Sequence, residues 1–266
     1  MLDKKDMGRL GAVFVLAAVV VLLIVWRYVS LMLLTPEEAR RAEGTVAIER
    51  GPILDRNGRV LAIQTELESV TAWVPDIEDF DRTAALLASA LAMEERTIRG
   101  IFENRPGFAY VKRKVSNSAA AAVRSLINGG ELPGIRLVEE SARTYPEQRI
   151  AAPVMGIVDI DNRGLEGLEL RFDELLSPAP PDDTQTEAFG NQIYLTLDLD
   201  LQFAAERLAR DTLEEQQADS VMILAMDAND GDMLAMAGVP AFNPNTFADF
   251  PAAYRTNRPV AVAYEP

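Results

Sequence analysis

The sequence contains no cysteine and no histidine. The first absence excludes disulfide frameworks, zinc–thiolate sites and thiol nucleophiles. The second excludes imidazole metal ligands and any Ser-His-Asp triad. Lysine is scarce, with Lys4, Lys5, Lys112 and Lys114 the four in 266 residues. Covalent catalysis in such a chain needs Ser, Thr or Lys activated by something other than imidazole. No metal or cofactor is expected. Positive charge is short overall: 26 Lys and Arg stand against 41 Asp and Glu, a formal net charge of -15. Beyond residue 34 the balance is 22 basic to 39 acidic. A body this acidic repels phosphate backbones, which argues against nucleic acid as a partner. What remains is ordinary globular material, 48% hydrophobic and 25% charged, in a length that allows one or two domains with cores.

One apolar run stands out. Residues 10–26, "LGAVFVLAAVVVLLIVW", carry no charge, and apolar character resumes after Arg27 through Leu34. About 20 residues span a hydrocarbon core, so this segment suffices. Arg27 can snorkel to the interface beside the aromatic Trp26 and Tyr28. A cleavable signal peptide has a shorter apolar stretch of about 7–15 residues followed by a small-x-small site. The only such site here is the poor Ala42-x-Gly44. Residues 1–34 are therefore read as a cytoplasmic tail and uncleaved single-pass anchor in a cytoplasmic membrane. Lys4, Lys5 and Arg9 before the span favour a cytoplasmic N-terminus and an extracytoplasmic body.

Past the anchor, Thr35-Pro36-Glu37-Glu38 reads as a helix start. Residues 49–64 read as two extended runs around Asp55-Arg56-Asn57-Gly58, and "SVTAWV" (69–74) continues as a strand. The apolar spacing predicts one helix over 81–103, a strand at "FAYVKRKV", and a helix over 118–127 that stops at Gly129-Gly130. Residues 134–146 are extended, and 155–176 are punctuated by glycine. The Pro-rich, polar stretch 177–192 reads as a linker. Beyond it come a short strand and a helix from about Asp198, with Leu201, Ala204, Ala205, Leu208 and Leu213 at helical spacing. A second hairpin follows, turning at Asn229-Asp230-Gly231, and its continuous apolar strands suggest cover on both faces. The fold class expected is α+β.

Singly, these motifs are common turns. In order they are specific: an anchor, "RGPILDRNGRVLA", "RTYPE", "GLEGLELRFDELL", "LTLDLDLQFAAE", "DANDGDMLAMAGVPAFNPN" and "NRPVAVAYEP". The set resembles the N-terminal half of a class B penicillin-binding protein, a monofunctional peptidoglycan D,D-transpeptidase. The resemblance implies a non-catalytic pedestal, or dimerisation, domain over 35–176, a linker over 177–192 and the start of a transpeptidase domain over 193–266. It gives Arg50, Gly51, Asp55, Arg56 and Gly58 to a pedestal signature close to the catalytic domain. Arg143, Tyr145 and Pro146, with Gly164, Glu166, Gly167 and Glu169, match its later signatures. A structural role suits these residue types. Gly58, Gly164 and Gly167 fit tight backbone turns, and Asp55, Arg56 and Glu169 are suited to paired charges at a domain junction.

In that family "YEPGS" leads into a Ser-x-x-Lys motif, whose serine attacks a stem-peptide carbonyl and whose lysine takes the proton. "AYEP" stops where that serine is due, and no Ser in the chain has Lys three residues later. The Ser-x-Asn and Lys-Thr-Gly motifs are missing as well; "SNS" at 116–118 falls in the pedestal. No catalytic residue is assigned, and the expectation is a chain severed before its nucleophile, with apolar sheet faces left uncovered after the linker. Peptidoglycan and β-lactams are then partners of the complete form alone. The resemblance also implies a polytopic glycosyltransferase and other cell-wall synthesis proteins as partners. The alternatives are a non-catalytic, membrane-anchored interaction module of the same machinery, or an unrelated anchored binding module that shares its turns.

Overall fold

The computed structural model describes residues 47–177 and 187–263, with Val21, Leu23, Trp26 and Arg27 in addition. Most of the expected anchor, the helix start at Thr35, most of the linker and the last three residues lie outside the described residues. Among the described residues, no helix is long and apolar enough to cross a membrane. The chain divides into two compact units, residues 1–47 with 181–187, and residues 48–180 with 188–266. The second carries nearly all of the described secondary structure.

Strand β1 (Ala47–Glu49) leads into β2 (Ile53–Leu54), which turns back into β3 (Val60–Trp73). Gly58 holds that turn at φ +82°, as an Asn-Gly turn requires. β3 is a single 14-residue strand, where the sequence suggests separate extended runs. Polar residues in its middle interrupt the apolar pattern but not the hydrogen bonding, because β3 is paired along its length. The two runs are joined by pairing, not by hydrophobicity.

Helix α1 (Phe80–Leu91) and helix α2 (Glu95–Asn104) replace the single helix expected over 81–103. Ala92 breaks them apart by taking a left-handed φ of +49° at the C-cap of α1. Such a cap is ordinarily glycine, so nothing in the residue type marks it. β4 (Phe108–Val115), α3 (Asn117–Asn128) and β5 (Ile135–Thr144) follow as expected. Ser116 caps α3 by accepting from Ala119 N at 3.3 Å. β5 runs antiparallel to β3 from Ile63 opposite Thr144 to Ala72 opposite Ile135, and β4 pairs with β3 over Glu68 to Trp73. Helices α1 to α3 cover one face of this end, burying Val70, Ala72, Leu87, Leu91, Ile98, Phe102 and Val123 in one cluster.

A second core forms around the other end of β3. It draws on α4 (Ala152–Met155), α5 (Gly167–Arg171) and α6 (Asp173–Leu176), while between them the antiparallel pair β6 (Ile157–Val158) and β7 (Gly164–Glu166) places Ile157 in a small separate cluster with Ala152 and Phe242. After β8 (Glu187–Phe189), strand β9 (Ile193–Tyr194) joins the sheet parallel to β2, with Ile53 opposite Ile193. Leu197 and Leu199 enter the same cluster as Ile53, Leu61, Tyr145, Met155 and Leu176. Described residues on both sides of 177–192 thus share one sheet and one core.

Helix α7 (Leu199–Glu215) is capped by Asp198 and packs on the hairpin of β10 (Val221–Met226) and β11 (Met233–Val239). Short helical turns over 244–249 and 252–254 then lead to α8 (Arg258–Ala261). The apolar spacing is right for Ala205, which is buried, but Leu201, Ala204 and Leu208 are exposed while Gln202, Glu206 and Ala209 are buried. In β10 the cover on both faces that the continuous apolar run suggested is absent among the described residues, in line with the uncovered sheet face also expected after the linker. Ile223 and Ala225 pack toward Ala205, but Met222, Leu224 and Met226 on its other face are exposed among the described residues.

Candidate functional site

Glu169 has no exposed surface, and α5 places it between two guanidinium groups brought from distant segments. Arg50 lies three residues before β2 and Arg143 near the end of β5, so β3 pairing fixes the distance between them. Arg50 donates from Nε to Glu169 Oε2 at 2.9 Å and from Nη2 to the Glu169 carbonyl at 2.9 Å. Arg143 donates from Nε to Glu169 Oε1 at 2.7 Å and from Nη1 to the Gly51 carbonyl at 2.9 Å. Tyr145 Oη reaches the same Oε1 at 3.3 Å. Burial, with the charge of Glu169 second, pushes the Tyr145 phenol well above its usual range, so it remains a donor. Arg50 Nη1 bonds Asp173 at 2.7 Å and Ser177 Oγ at 2.9 Å. Two guanidiniums thus stand against two carboxylates, the balance a dry cluster needs.

Glycines hold the backbone around this cluster at distances no side chain permits. A Cβ on Gly51 would lie 1.9 Å from the Asn191 carbonyl oxygen, and one on Gly164 would lie 2.1 Å from that of Glu169. Gly167, at φ +63°, faces Gly156, whose Cα would be 2.6 Å from an added Cβ. Glu166, beside it, accepts from Arg255 Nε at 3.1 Å. Pro146 is exposed.

A second node lies at the β2–β3 turn. Asp55 is fully buried and accepts from Asn57 N and Arg59 N at 2.8 Å, and from Leu199 N at 3.2 Å at the start of α7. Burial alone would raise its pKa, but the backbone donors of Arg59, Leu199 and Asn57, with the Arg59 side chain, hold it below the usual carboxylate range. Arg59 Nη2 pairs with Asp55 at 2.8 Å, and its Nη1 with Asp200 at 2.7 Å. Arg56, expected among the paired charges, is exposed and enters no ion pair among the described residues. Arg59 takes the role expected of Arg56. The one sequence signal for Asp173 was a second carboxylate close after Glu169, on the next short helix; for Arg59 it was only a second arginine beside the turn.

Two further ties escape sequence reasoning. Glu206 Oε1 accepts from Ala151 N at 2.6 Å and from Gln202 Nε2 at 2.9 Å. Asn245 brackets the Tyr145 backbone, accepting from its N–H and donating to its carbonyl, both at 2.9 Å. Of the sequence-assigned residues, Arg50, Gly51, Arg143, Tyr145 and Glu169 meet in one cluster, with Gly164, Glu166 and Gly167 in the backbone around it. Asp55 lies at the second node, and Arg56, Gly58 and Pro146 are exposed. Nothing in the junction resembles a nucleophile with its base: Ser177 Oγ accepts from a guanidinium, which cannot take a proton.

Comparison with known proteins decides what this junction belongs to. A model described as the penicillin-binding protein dimerisation domain matches residues 45–180. The chain belongs to this family. The matched region holds the whole cluster beneath α1 to α3, part of the second core and every member of the Arg50–Glu169–Arg143 cluster. Among curated relatives, the peptidoglycan D,D-transpeptidase FtsI of Escherichia coli K12 is 30% identical over 244 residues, covering 83% of this chain and 41% of that protein. Stage V sporulation protein D of Bacillus subtilis is 29% identical over 239 residues, covering 82% and 36%. The recognition as a class B peptidoglycan D,D-transpeptidase relative is thereby supported at the level of the family. A peptidoglycan synthetase structure from Bifidobacterium adolescentis aligns at TM-score 0.48 and 20% identity, covering 83% of this chain and 47% of that one. The chain spans about two fifths of the length of the curated relatives it matches.

Proposed function

We propose that residues 35–176 are the non-catalytic pedestal of a peptidoglycan D,D-transpeptidase and that 193–266 open its transpeptidase domain. The complete protein would cross-link stem peptides of peptidoglycan by serine acyl transfer, held to the cytoplasmic membrane by residues 10–26. The observation that carries the reading is the buried Arg50–Glu169–Arg143 cluster. It ties the start of the pedestal, its long β5 and its last helices into one unit directly beside α7. Its parts are structural, and the chain has no Ser followed three residues later by Lys. A glycosyltransferase and other cell-wall synthesis proteins are proposed as partners of the pedestal and anchor.

A fluorescent penicillin tests the reading. The product of the complete reading frame should be labelled covalently, and the 266-residue chain should not. Labelling of the 266-residue chain, or none of a longer product that carries this pedestal, sinks it.

A further inference from the structure

A 260 Å³ cavity opens between β4, β5, β6 and the 244–249 turn. Its walls are apolar where Leu67, Val158, Ile160 and Phe247 line it, and its charged lining is three cations, Arg113, Lys114 and Arg143, against one carboxylate, Asp159. The cations are not equivalent. Arg113 is neutralised by Glu140 and Asp161, each at 3.0 Å, and Arg143 by Glu169 at 2.7 Å. Lys114 has a neutral partner, donating to Asn162 Oδ1 at 2.9 Å, and no ion pair among the described residues.

The backbone shows that Lys114 is held in this place. Lys114 and Asn162 both sit in left-handed conformations, φ +50° and +64°, on two different segments. Lys114 N is fixed by Ser69 Oγ at 2.9 Å and Asn162 Nδ2 by the Ser141 carbonyl at 2.9 Å. A non-glycine residue costs energy in this region, and such strain concentrates where a side chain must be aimed. Burial, with Arg113 next, lowers the Lys114 pKa, while Glu140, Asp161 and Asp159 act through space to raise it. Asp159 is occupied in its own turn, its Oδ1 accepting from Asp161 N at 2.8 Å and Arg163 N at 2.9 Å. An unpaired donor lies among the same lining residues: Arg143 Nη2 is buried with no hydrogen-bond partner among the described residues.

We propose that this cavity binds a carboxylate carried on a short apolar body, with Lys114 as its counter-ion and the Leu67, Val158, Ile160 and Phe247 wall against its apolar part. An opposite charge in a half-buried site favours the protonated ammonium and forms a charge-assisted hydrogen bond. The volume falls below the range of about 300–1,000 Å³ for drug-sized pockets, so it admits an end group and not a long chain. The carboxylate has two sources, a small organic acid or the C-terminus of a peptide. The proposal goes beyond the transpeptidase reading and stands without it, since it rests on the cavity alone.

The test uses the full chain in detergent with ¹³C-labelled lysine, whose four side chains give few signals. Propionate and N-acetyl-Ala-Ala are titrated beside propionamide and the dipeptide's C-terminal amide. An acid should move the Lys114 Cε signal and raise its titration midpoint, while Lys112, bound to the Leu91 carbonyl, stays still. The amides should do neither. Lys114→Gln should weaken acid binding about tenfold or more. Ile160→Trp, at an exposed rim position, should block it without disturbing the fold. Response to propionate assigns a free acid, and response to the dipeptide alone assigns a peptide terminus. Equal response to acid and amide, undiminished binding by Lys114→Gln, or no acid that shifts Lys114 overturns the proposal.

Discussion

Glu169 separates two buried guanidiniums that, without it, would face each other with Asp173 as the remaining counter-charge. Removing one partner of a buried ion pair costs far more than the pair gains over an apolar substitute, about 3–5 kcal/mol. Glu169→Gln should therefore destabilise the chain by about that amount in chemical denaturation, with Arg50→Lys costing less because one donor remains for the carboxylate. Two other buried carboxylates respond oppositely to pH. Asp55 has a folded pKa below its ordinary 3.8, so its stabilisation is fully present above that value and is lost as pH falls through the lower one. Burial raises Glu206 above its ordinary 4.5, opposed by Gln202, Ala151 and Arg210. Its folded form holds the proton more tightly, so its contribution favours folding at low pH and is lost as pH rises through the raised value. Glu206→Gln should flatten this pH dependence without loss of stability at neutral pH. Glu206→Ala should cost about 1–3 kcal/mol, by leaving Ala151 N and Gln202 unpaired. Stability curves against pH of the unaltered chain and the two Glu206 variants check the Glu206 sign, and an Asp55→Asn curve that loses its acid-side slope checks that of Asp55.

Among the elements, glycine decides where segments meet. Gly167→Ala needs both a left-handed backbone and 2.6 Å of space that Gly156 occupies, so it should lower the melting temperature and loosen the β6–β7 pairing. Hydrogen exchange at Ile157 and Glu166 would show whether the loss is local. The same scale shows what could be read in advance. Most strands and helices of the pedestal were legible, because turn residues and apolar spacing agree there with the hydrogen bonding. The break at Ala92 was not, since an alanine in a glycine position leaves no signal. The buried face of α7 was only partly legible, Ala205 alone of the spaced apolar residues being buried. Periodicity assigns apolar residues to the core, but Gln202 and Glu206 go inside to bind Met236 N and Ala151 N. The exposed Leu201 and Leu208 carried the spacing instead. Charge partners in the junction were legible by residue type and not by choice of residue, as Arg59 in place of Arg56 shows.

At the scale of the whole molecule, the core next to the junction is made from both sides of 177–192. Leu197 and Leu199 contribute to it, and β9 completes the sheet at β2. A chain ending at residue 177 should therefore lose cooperative unfolding of this core while retaining the cluster beneath α1 to α3, whose members all precede residue 138. Two separated unfolding transitions in the shortened chain, against coincident ones in the full chain, are the expected result; unchanged unfolding would contradict it.

β3 passes through both cores without interruption, Leu61 and Ala62 in one and Val70 and Ala72 in the other. Fourteen residues in extended form reach about 45 Å. Such a strand behaves as a strut. Its hydrogen bonds to β5 lie across its axis, so a pull along the strand loads many of them at once in shear and not one after another. A force applied at the helical tip would arrive at the Arg50–Glu169–Arg143 junction with little slack, transmitted by the chain's own backbone.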